Sequence, residues 1–420
     1  MQSTMTGALT PLPPALLYVG TQGANAFLRS VAYTTYGLYA VKAASLGPLE
    51  LVLVGATLEL SVVLAEVPTG IVADIYGRRL SVLVGFCVIR VGFGVMGSVP
   101  TFWCIALGSM LWAVGGTFIS GAHQAWLADE IGENLAPPVY LRGTQFRQLG
   151  SLAGIPLGVA LAARHLQVPM LVAAVGFWAL ALLLSLTMSE RGYTPASHVR
   201  GNPWQRMIAT LRDGIETVRG RPELVSLLAA TLIFGMSGEA FGRLAPLHIL
   251  DDIGLPGFLA ETTWFGILQA GSFLGAAMIT WLTSRSAALQ DPRIIVRILL
   301  VLTAVMLLAT LTFALASAFW LALIAFWAAR WVRIAVEPLT VALMNRGLAS
   351  GVRATVLSML GQVEALGEVC GGPVLGLVGT LRTVRVALLG AAVVLLPAFP
   401  LYRRALSGRD RRGNDREARL

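Results

Sequence analysis

The chain has 420 residues, of which 56% are hydrophobic and only 13% are charged, and its mean hydropathy is +0.74. A soluble domain carries about 25% charged residues, so this composition excludes an ordinary soluble protein and indicates that lipid surrounds most of the chain. The net charge of +9 comes from 31 Lys and Arg residues against 22 acids. In so apolar a chain, this excess indicates basic cytoplasmic loops rather than nucleic-acid binding.

Apolar segments long enough to cross a bilayer follow one another along the chain. Each transmembrane helix needs about 20 apolar residues, and this length predicts twelve spans. They lie at 14–41, 49–73, 80–99, 102–127, 143–163, 169–189, 223–249, 259–283, 293–315, 319–344, 354–379 and 384–402. Most connections between them are short, which makes successive helices antiparallel neighbours. The predicted fold is an all-α integral membrane protein.

One polar and basic connection divides the spans into six and six. Within it, the apolar residues between Trp204 and Val218 have helical spacing, which predicts an amphipathic helix on the membrane surface. The predicted regions are an N-terminal six-helix bundle at 1–189, the linker at 190–222, a C-terminal six-helix bundle at 223–402 and a basic tail at 403–420.

The distribution of basic residues predicts the orientation. Most Lys and Arg residues fall on the side of the linker, whereas the predicted external loops hold only Lys42, Arg164, Arg382 and Arg385. Both termini and the linker are therefore expected in the cytoplasm. The near-absence of lysine and the short external loops suggest a bacterial inner membrane.

Short matches recur at an offset of about half the chain. Residues 26–29 read AFLR and residues 240–243 read AFGR, and similar pairs open spans 4 and 10 and spans 5 and 11. Two bundles in the same orientation form parallel repeats, and the substrate site of such folds lies near the membrane midplane. The repeats predict two pseudo-symmetric six-helix bundles.

The connection between spans 2 and 3 carries a charged motif. Gly70, Asp74, Gly77, Arg78 and Arg79 resemble the signature loop of the major facilitator superfamily. Gly70 would permit close helix approach, and Gly77 would permit a backbone shape that other residues resist. The resemblance extends over nearly the whole chain, and segments such as EVPTGIVAD are similar to bacterial drug-exporter-like members.

The resemblance implies a cytoplasmic latch. Asp74 would face the N-terminal end of span 11, where a positive helix dipole can hold it, and Arg78 and Arg79 would reach Asp129 or Glu130 at the end of span 4. Such a cluster would close the cytoplasmic side in one state and release it in the other. The alternative is a basic turn that only sets the orientation of the chain.

Small residues and prolines recur in spans 5 and 11. Gly150, Gly154, Pro156 and Gly158 resemble a loose form of an antiporter motif, and Gly367, Gly372, Pro373 and Gly376 repeat the theme. Glycines at this spacing let helices pack closely and prolines bend them. Plain packing and a hinge are both open interpretations, and the two symmetric copies favour a hinge.

Charged residues inside the spans each cost about 2.5–3.5 kcal/mol to insert, so they must pair or line water. Spacing of four residues predicts local pairs between Glu239 and Arg243 and between Arg333 and Glu337. A carboxyl group shielded from water can bind and release a proton near neutral pH. The candidates for proton coupling are Glu59, Glu66, Glu239, Glu364 and Glu368.

Within this set, Glu59 and Glu364 are the strongest candidates, and Glu59 would find Arg29 or Arg90 on neighbouring helices. Glu66 lies nearer the loop and would support the latch. Arginines and aromatic residues suit a substrate cavity. The candidates for it are Arg29, Tyr33, Tyr36, Arg90, Trp112, His123, Arg243, Trp331 and Glu337. For His123, a hydrogen-bonded structural role is the alternative.

Three functions remain open. The first is a secondary transporter with rocker-switch alternating access that exports hydrophobic or cationic drug-like compounds or metabolites in exchange for protons. The second is a proton-coupled uptake symporter or facilitator for a small polar or anionic solute. The third is a membrane scaffold without transport. Catalytic motifs, nucleotide-binding loops and metal-ligand spacings are absent from the sequence, so an enzyme, a cofactor and a metal are not expected.

The expected partners are the lipid bilayer, a small-molecule substrate and protons, with no nucleic acid. We expect a functional monomer.

Overall fold

The computed structural model of the chain describes residues 12–193, 212, 214–284, 291–346, 348 and 350–406. Over this part of the chain the regular structure is helical, without a strand, so the predicted all-α fold is confirmed. The amphipathic helix predicted at 204–218 lies mostly outside the described residues, although 214–219 are helical. Most of the predicted tail, from 407 onwards, also lies outside them.

Long helices follow the predicted spans in order. They are α1 (Pro14–Tyr33), α2 (Pro48–Tyr76), α3 (Arg78–Ser98), α4 (Phe102–Ile131), α5 (Ala136–Ala162), α6 (Val168–Thr187), α7 (Pro222–His248), α8 (Glu261–Ser284), α9 (Pro292–Leu315), α10 (Phe319–Met344), α11 (Ser350–Leu381) and α12 (Val384–Val394). A π-helical turn extends α7 at Ile249–Ile253, and another follows α1 at Tyr39–Ala43.

Local sequence accounts for many helix ends. Proline occupies the first turn of α1, α5, α6, α7 and α9, where a missing N–H costs nothing. The side chain of Asp291 accepts a hydrogen bond of 2.8 Å from the Arg293 N–H and caps α9. Gly132 ends α4 with a φ of 90°, a conformation that favours glycine.

Eight helices of the described residues are long and apolar enough to cross a membrane, which supports a multi-pass membrane protein. The predicted count of twelve spans is therefore not exact. These eight are α2, α3, α4, α6, α9 and α10, together with α7 up to Ile253 and α12 up to Leu406.

The chain forms two compact units. Unit 1 contains residues 1–44 and 61–200, and unit 2 contains residues 45–60 and 201–420. The first half of α2 therefore packs within unit 2, where the Leu49 N–H donates a hydrogen bond of 3.1 Å to the Thr380 hydroxyl. Val52 is fully buried in the core of the same unit.

Glycines bring the helices of unit 1 into backbone contact. A Cβ at Gly154 would lie 2.5 Å from the Phe27 carbonyl oxygen, and one at Gly158 would lie 2.6 Å from that of Val31. One at Gly150 would overlap the Gly23 carbonyl group. These residues hold α5 against α1, so packing is observed for them, and a hinge at Pro156 stays a prediction.

Unit 2 repeats this arrangement with α7 and α11. A Cβ at Gly367 would overlap the Leu232 carbonyl oxygen, and one at Gly372 would lie 2.6 Å from Val52 Cγ1. One at Gly376 would lie 3.2 Å from the Pro48 carbonyl oxygen. The α11 glycines thus seat both α7 and the first half of α2, and Pro373 lies inside α11 between them.

Two stacked indoles join α10 to α8. The Trp327 and Trp331 rings are 6.2 Å apart, and their N–H groups donate to the carbonyl oxygens of Leu268 (3.1 Å) and Gly271 (2.9 Å). A Cβ at Gly271 or Gly275 would overlap these rings. The Trp331 ring thus fills a space that glycine leaves on α8, and its place in a substrate cavity stays a prediction.

Candidate functional site

The signature loop joins α2 to α3 through a single residue with an unusual backbone. Gly77 has a φ of 110°, a conformation that a side chain rarely adopts. This turn starts α3 at Arg78, whose Nε atom lies 2.8 Å from Asp129 Oδ2 at the end of α4. The structure thus brings together Arg78 and one of its two predicted acidic partners.

Arg79 has different partners from those predicted. Its backbone N–H donates a hydrogen bond of 2.9 Å to Glu190 Oε1, and its guanidinium group donates one of 2.6 Å to the Ser185 carbonyl oxygen. The prediction of an acid at the end of α4 is wrong for Arg79. Glu190 instead satisfies an N–H in the first turn of α3, where negative charge is favourable.

Glu130 binds the residues that follow α6. Its carboxylate accepts hydrogen bonds from the Ser189 hydroxyl (2.8 Å) and from the N–H groups of Arg191 (2.5 Å) and Gly192 (2.9 Å). The Tyr193 hydroxyl donates one of 2.7 Å to the Asp74 carbonyl oxygen. Partial burial raises the pKa of Tyr193, which keeps its hydroxyl protonated as a donor. The start of the linker is thereby attached to the signature loop.

Sequence reasoning did not identify Glu190, Ser189 or Tyr193 as parts of this loop. A Ser-Glu pair directly after a span was the available signal, because polar side chains there can reach the connection between neighbouring helices. The prediction that Gly70 permits close helix approach is wrong, because a Cβ at this position would meet nothing within 4 Å among the described residues. The predicted approach of Asp74 to α11 stays a prediction.

A cluster of buried charges lies in unit 2. The Arg243 Nε atom donates a hydrogen bond of 2.8 Å to Glu239 Oε1, one turn earlier on α7, as the spacing predicted. Gly55 on α2 provides the space for this pair, because a Cβ there would overlap the Glu239 carboxylate. Glu239 is only 7% exposed, so the pair is enclosed by the helices of the unit.

Arg333 on α10 forms the second part of the cluster. Its Nη2 atom donates to Glu368 Oε1 at 2.5 Å and to Glu364 Oε1 at 3.1 Å, both on α11. Its Nη1 atom donates to the Phe234 carbonyl oxygen at 3.1 Å. The predicted pair with Glu337 is wrong, because Arg333 extends towards α11 while Glu337 is exposed.

Glu59 completes the cluster from α2. Its carboxyl group belongs to the same charged neighbourhood as Glu239, Arg243 and Glu368. The predicted partners Arg29 and Arg90 are wrong, because the packing of α2 on α7 and α11 places Glu59 beside Arg243. Over the described residues, no group of three His, Cys, Asp or Glu side chains could hold a metal ion.

A cationic and aromatic cluster lies in unit 1. The Arg29 guanidinium carbon is 5.1 Å from the centre of the Trp112 ring. The Tyr33 ring is 5.2 Å from Trp112 and 5.1 Å from Tyr36, and its edge faces Phe93. Four predicted cavity residues, Arg29, Tyr33, Tyr36 and Trp112, are thus brought together.

Two other predicted cavity residues of unit 1 lie elsewhere. Arg90 stacks at 6.0 Å over Trp178, an exposed residue of α6. His123 is 2% exposed and packs between the rings of Tyr18 (4.6 Å) and Trp126 (5.8 Å). The cavity prediction for His123 is wrong, because these rings enclose the imidazole. Glu66 on α2 is exposed.

Known membrane transporters are similar to this chain in sequence and in fold. A sequence model of the Major Facilitator Superfamily matches residues 19–366. The uncharacterized MFS-type transporter YxaM of Bacillus subtilis (strain 168) is 22% identical over 358 residues, which cover 84% of this chain and 86% of the relative.

Solved structures of transporters are similar in fold. The nucleoside transporter NupG has a TM-score of 0.71 at 14% identity, covering 94% of this chain and 99% of that one. The POT family transporter PepTSo has a TM-score of 0.73 at 12% identity, covering 94% and 98%. A bacterial homolog of the human lysosomal transporter Spinster has a TM-score of 0.72 at 15% identity, covering 94% and 96%.

These relatives are transporters, not enzymes, and their low identities show the fold alone. Because the family model matches most of its length, this chain belongs to the Major Facilitator Superfamily.

Proposed function

We propose that the protein is a proton-coupled secondary transporter that exports a small amphipathic molecule by alternating access. The observation that carries this proposal is the excess of carboxyl groups in the cluster of unit 2: Arg333 alone bonds both Glu364 and Glu368, and Glu59 adds a further carboxyl group near them. Neighbouring carboxyl groups favour sharing one proton over ionising together. We infer that Glu59 and Glu368 share a proton in one state of the transport cycle.

The charges around the pair support a coupling role. Glu59, Glu239, Glu364 and Glu368 contribute four carboxyl groups, whereas Arg243 and Arg333 contribute two guanidinium groups. Loss of the shared proton would add negative charge to a set that already has an excess of it, and neighbouring carboxylates would repel. Because these residues come from α2, α7, α10 and α11, proton release would loosen the packing of those helices.

The substrate class follows from the charges of unit 1. Arg29 and its neighbour Arg147 would repel a cationic compound, so they favour a substrate with an anionic group over the predicted hydrophobic or cationic compounds. The second candidate function, uptake of a small polar or anionic solute, is favoured by the same two arginines. A growth screen of a sensitive strain against toxic compounds, with and without the protein, tests the direction.

We also propose that the signature loop is a cytoplasmic latch. Its supports are the Arg78–Asp129 ion pair and the hydrogen bonds of residues 189–193 with Glu130, the Arg79 N–H and the Asp74 carbonyl oxygen. Both termini in the cytoplasm, a bacterial inner membrane and a functional monomer belong to the same proposal.

Proton coupling is tested in proteoliposomes under an imposed pH gradient, with a compound that the growth screen identifies. We expect the gradient to accelerate wild-type transport at least tenfold, and E368Q and E59Q to lose this acceleration while they retain exchange of the compound without a gradient. E133Q is the matched control, because Glu133 is an exposed acid of the α4–α5 connection, outside the cluster. Equal acceleration in wild type and E368Q would contradict the proposal.

A further inference from the structure

We propose that Arg29, Arg147 and Trp112 form a binding site in unit 1 for the anionic group of an aromatic compound. Binding of such a compound does not depend on the proposed function. Only the identification of the compound as the transported substrate rests on the proposed transport function. Three features carry it: two cations without an acidic partner among the described residues, an aromatic surface beside one of them, and helices that hold both in place.

Among the described residues, neither of these two arginines has an acidic partner. Arg78, Arg243 and Arg333 each pair with a carboxylate. Arg29 and Arg147 pair with no acid in the described part of the chain, and they lie on α1 and α5, two helices in backbone contact, where each adds to the positive potential at the other. Two such neighbours are unfavourable in a membrane protein unless water or an anion offsets their charge. An anionic ligand would supply that charge and interact with both.

Aromatic rings define the shape of the site. The Arg29 guanidinium carbon lies over the Trp112 ring, 5.1 Å from its centre, and a guanidinium group above an aromatic ring keeps N–H groups that can donate to a ligand. A planar guanidinium group binds two oxygens of a carboxylate, sulfonate or phosphate through such an edge. Tyr33 continues the aromatic surface at 5.2 Å from Trp112. The anionic group of the ligand would thus meet Arg29 while its ring packs on this surface.

The backbone contacts of α1 and α5 keep the site in place. Gly150 and Gly154 on α5 press against the carbonyl groups of Gly23 and Phe27 on α1. Arg147 is one turn before Gly150, and Arg29 is two residues after Phe27. Both arginine residues are exposed within the described structure. The close helix pair fixes the backbone positions from which the two arginine side chains extend.

The test uses two probes that differ in charge. Wild-type protein in lipid nanodiscs is titrated with 2-naphthalenesulfonate and with trimethyl(2-naphthyl)ammonium in a calorimeter, and empty nanodiscs provide the reference for partition into lipid. We expect the sulfonate to bind at least tenfold more tightly than the ammonium compound. We expect R29Q and R147Q each to raise the Kd for the sulfonate at least fivefold.

R90Q is the matched control, because Arg90 also stacks on a tryptophan but does so on α6, and its Kd should stay within twofold of wild type. The inference is overturned if the ammonium compound binds as tightly as the sulfonate, or if R29Q stays within twofold of wild type. The comparison of the two probes on wild-type protein stands even where a variant fails to fold. Binding requires no pH gradient, so loss of proton coupling in proteoliposomes leaves this result unchanged.

Discussion

Arg333 on α10 donates a hydrogen bond of 2.5 Å to Glu368 on α11, although Glu337 lies only one turn away on its own helix. The same guanidinium group also bonds Glu364 and the Phe234 carbonyl oxygen. One arginine thus joins α10, α11 and α7. Because an ionised group in a membrane needs partners, this arginine links three helices of unit 2 through its charge.

Removal of Arg333 should destabilise the protein strongly. In R333Q, Glu364 and Glu368 lose their shared cation, and breaking a buried ion pair costs about 3–5 kcal/mol. We expect a clearly lower Tm for R333Q in detergent, measured by tryptophan fluorescence during heating. E337Q is the control and should change the stability by less than about 0.5 kcal/mol. A larger effect of E337Q than of R333Q would show that the local pair dominates.

The space at Gly55 should be essential for the Glu239–Arg243 pair. In G55A the new methyl group would overlap the Glu239 carboxylate, and overpacking of this kind costs about 1–3 kcal/mol. We expect a lower Tm for G55A, whereas G70A, whose Cβ meets nothing within 4 Å among the described residues, should match the wild type. Equal Tm values for the two variants would contradict the described contact.

The linker contact at the start of α3 should contribute measurable stability. In E190A the Arg79 N–H loses the carboxylate that it donates to, and loss of such a cap costs about 1 kcal/mol. The control is E133A, which removes an exposed acid of the α4–α5 connection. Limited proteolysis is a second measurement: cleavage in the linker should be faster in E190A than in E133A. Identical cleavage rates in the two variants would show that the Glu190–Arg79 contact does not hold the linker in place.

Trp331 should act on stability and not on substrate affinity. In W331F the hydrogen bond to the Gly271 carbonyl oxygen is lost, which costs about 1 kcal/mol, and the ring still fills the space beside Gly275. We expect a modestly lower Tm and an unchanged KM for a transported compound. A several-fold rise in KM at unchanged Tm would show that Trp331 contacts the substrate.

The positions of the helices were predictable because apolar length and proline are local signals. The predicted spans 102–127, 293–315 and 319–344 begin at or within a residue of α4, α9 and α10. The conformation of Gly77 and the Glu239–Arg243 pair were predictable for the same reason, since each depends only on residues within one turn.

The partners of the remaining charges depend on which helices touch. No local pattern in the sequence shows which helices these are. Arg333 could satisfy the four-residue rule with Glu337, but close approach of α7 to α11 at Gly235 and Gly367 brings Glu364 and Glu368 within its reach. Glu59 lies in the charged cluster of unit 2 because the first half of α2 packs within that unit. The sequence by itself determined that the chain is helical, membrane-bound and rich in buried charge. Only the tertiary structure decided how that charge is shared, because a side-chain hydrogen bond acts over about 3 Å and helix packing alone brings distant residues that close.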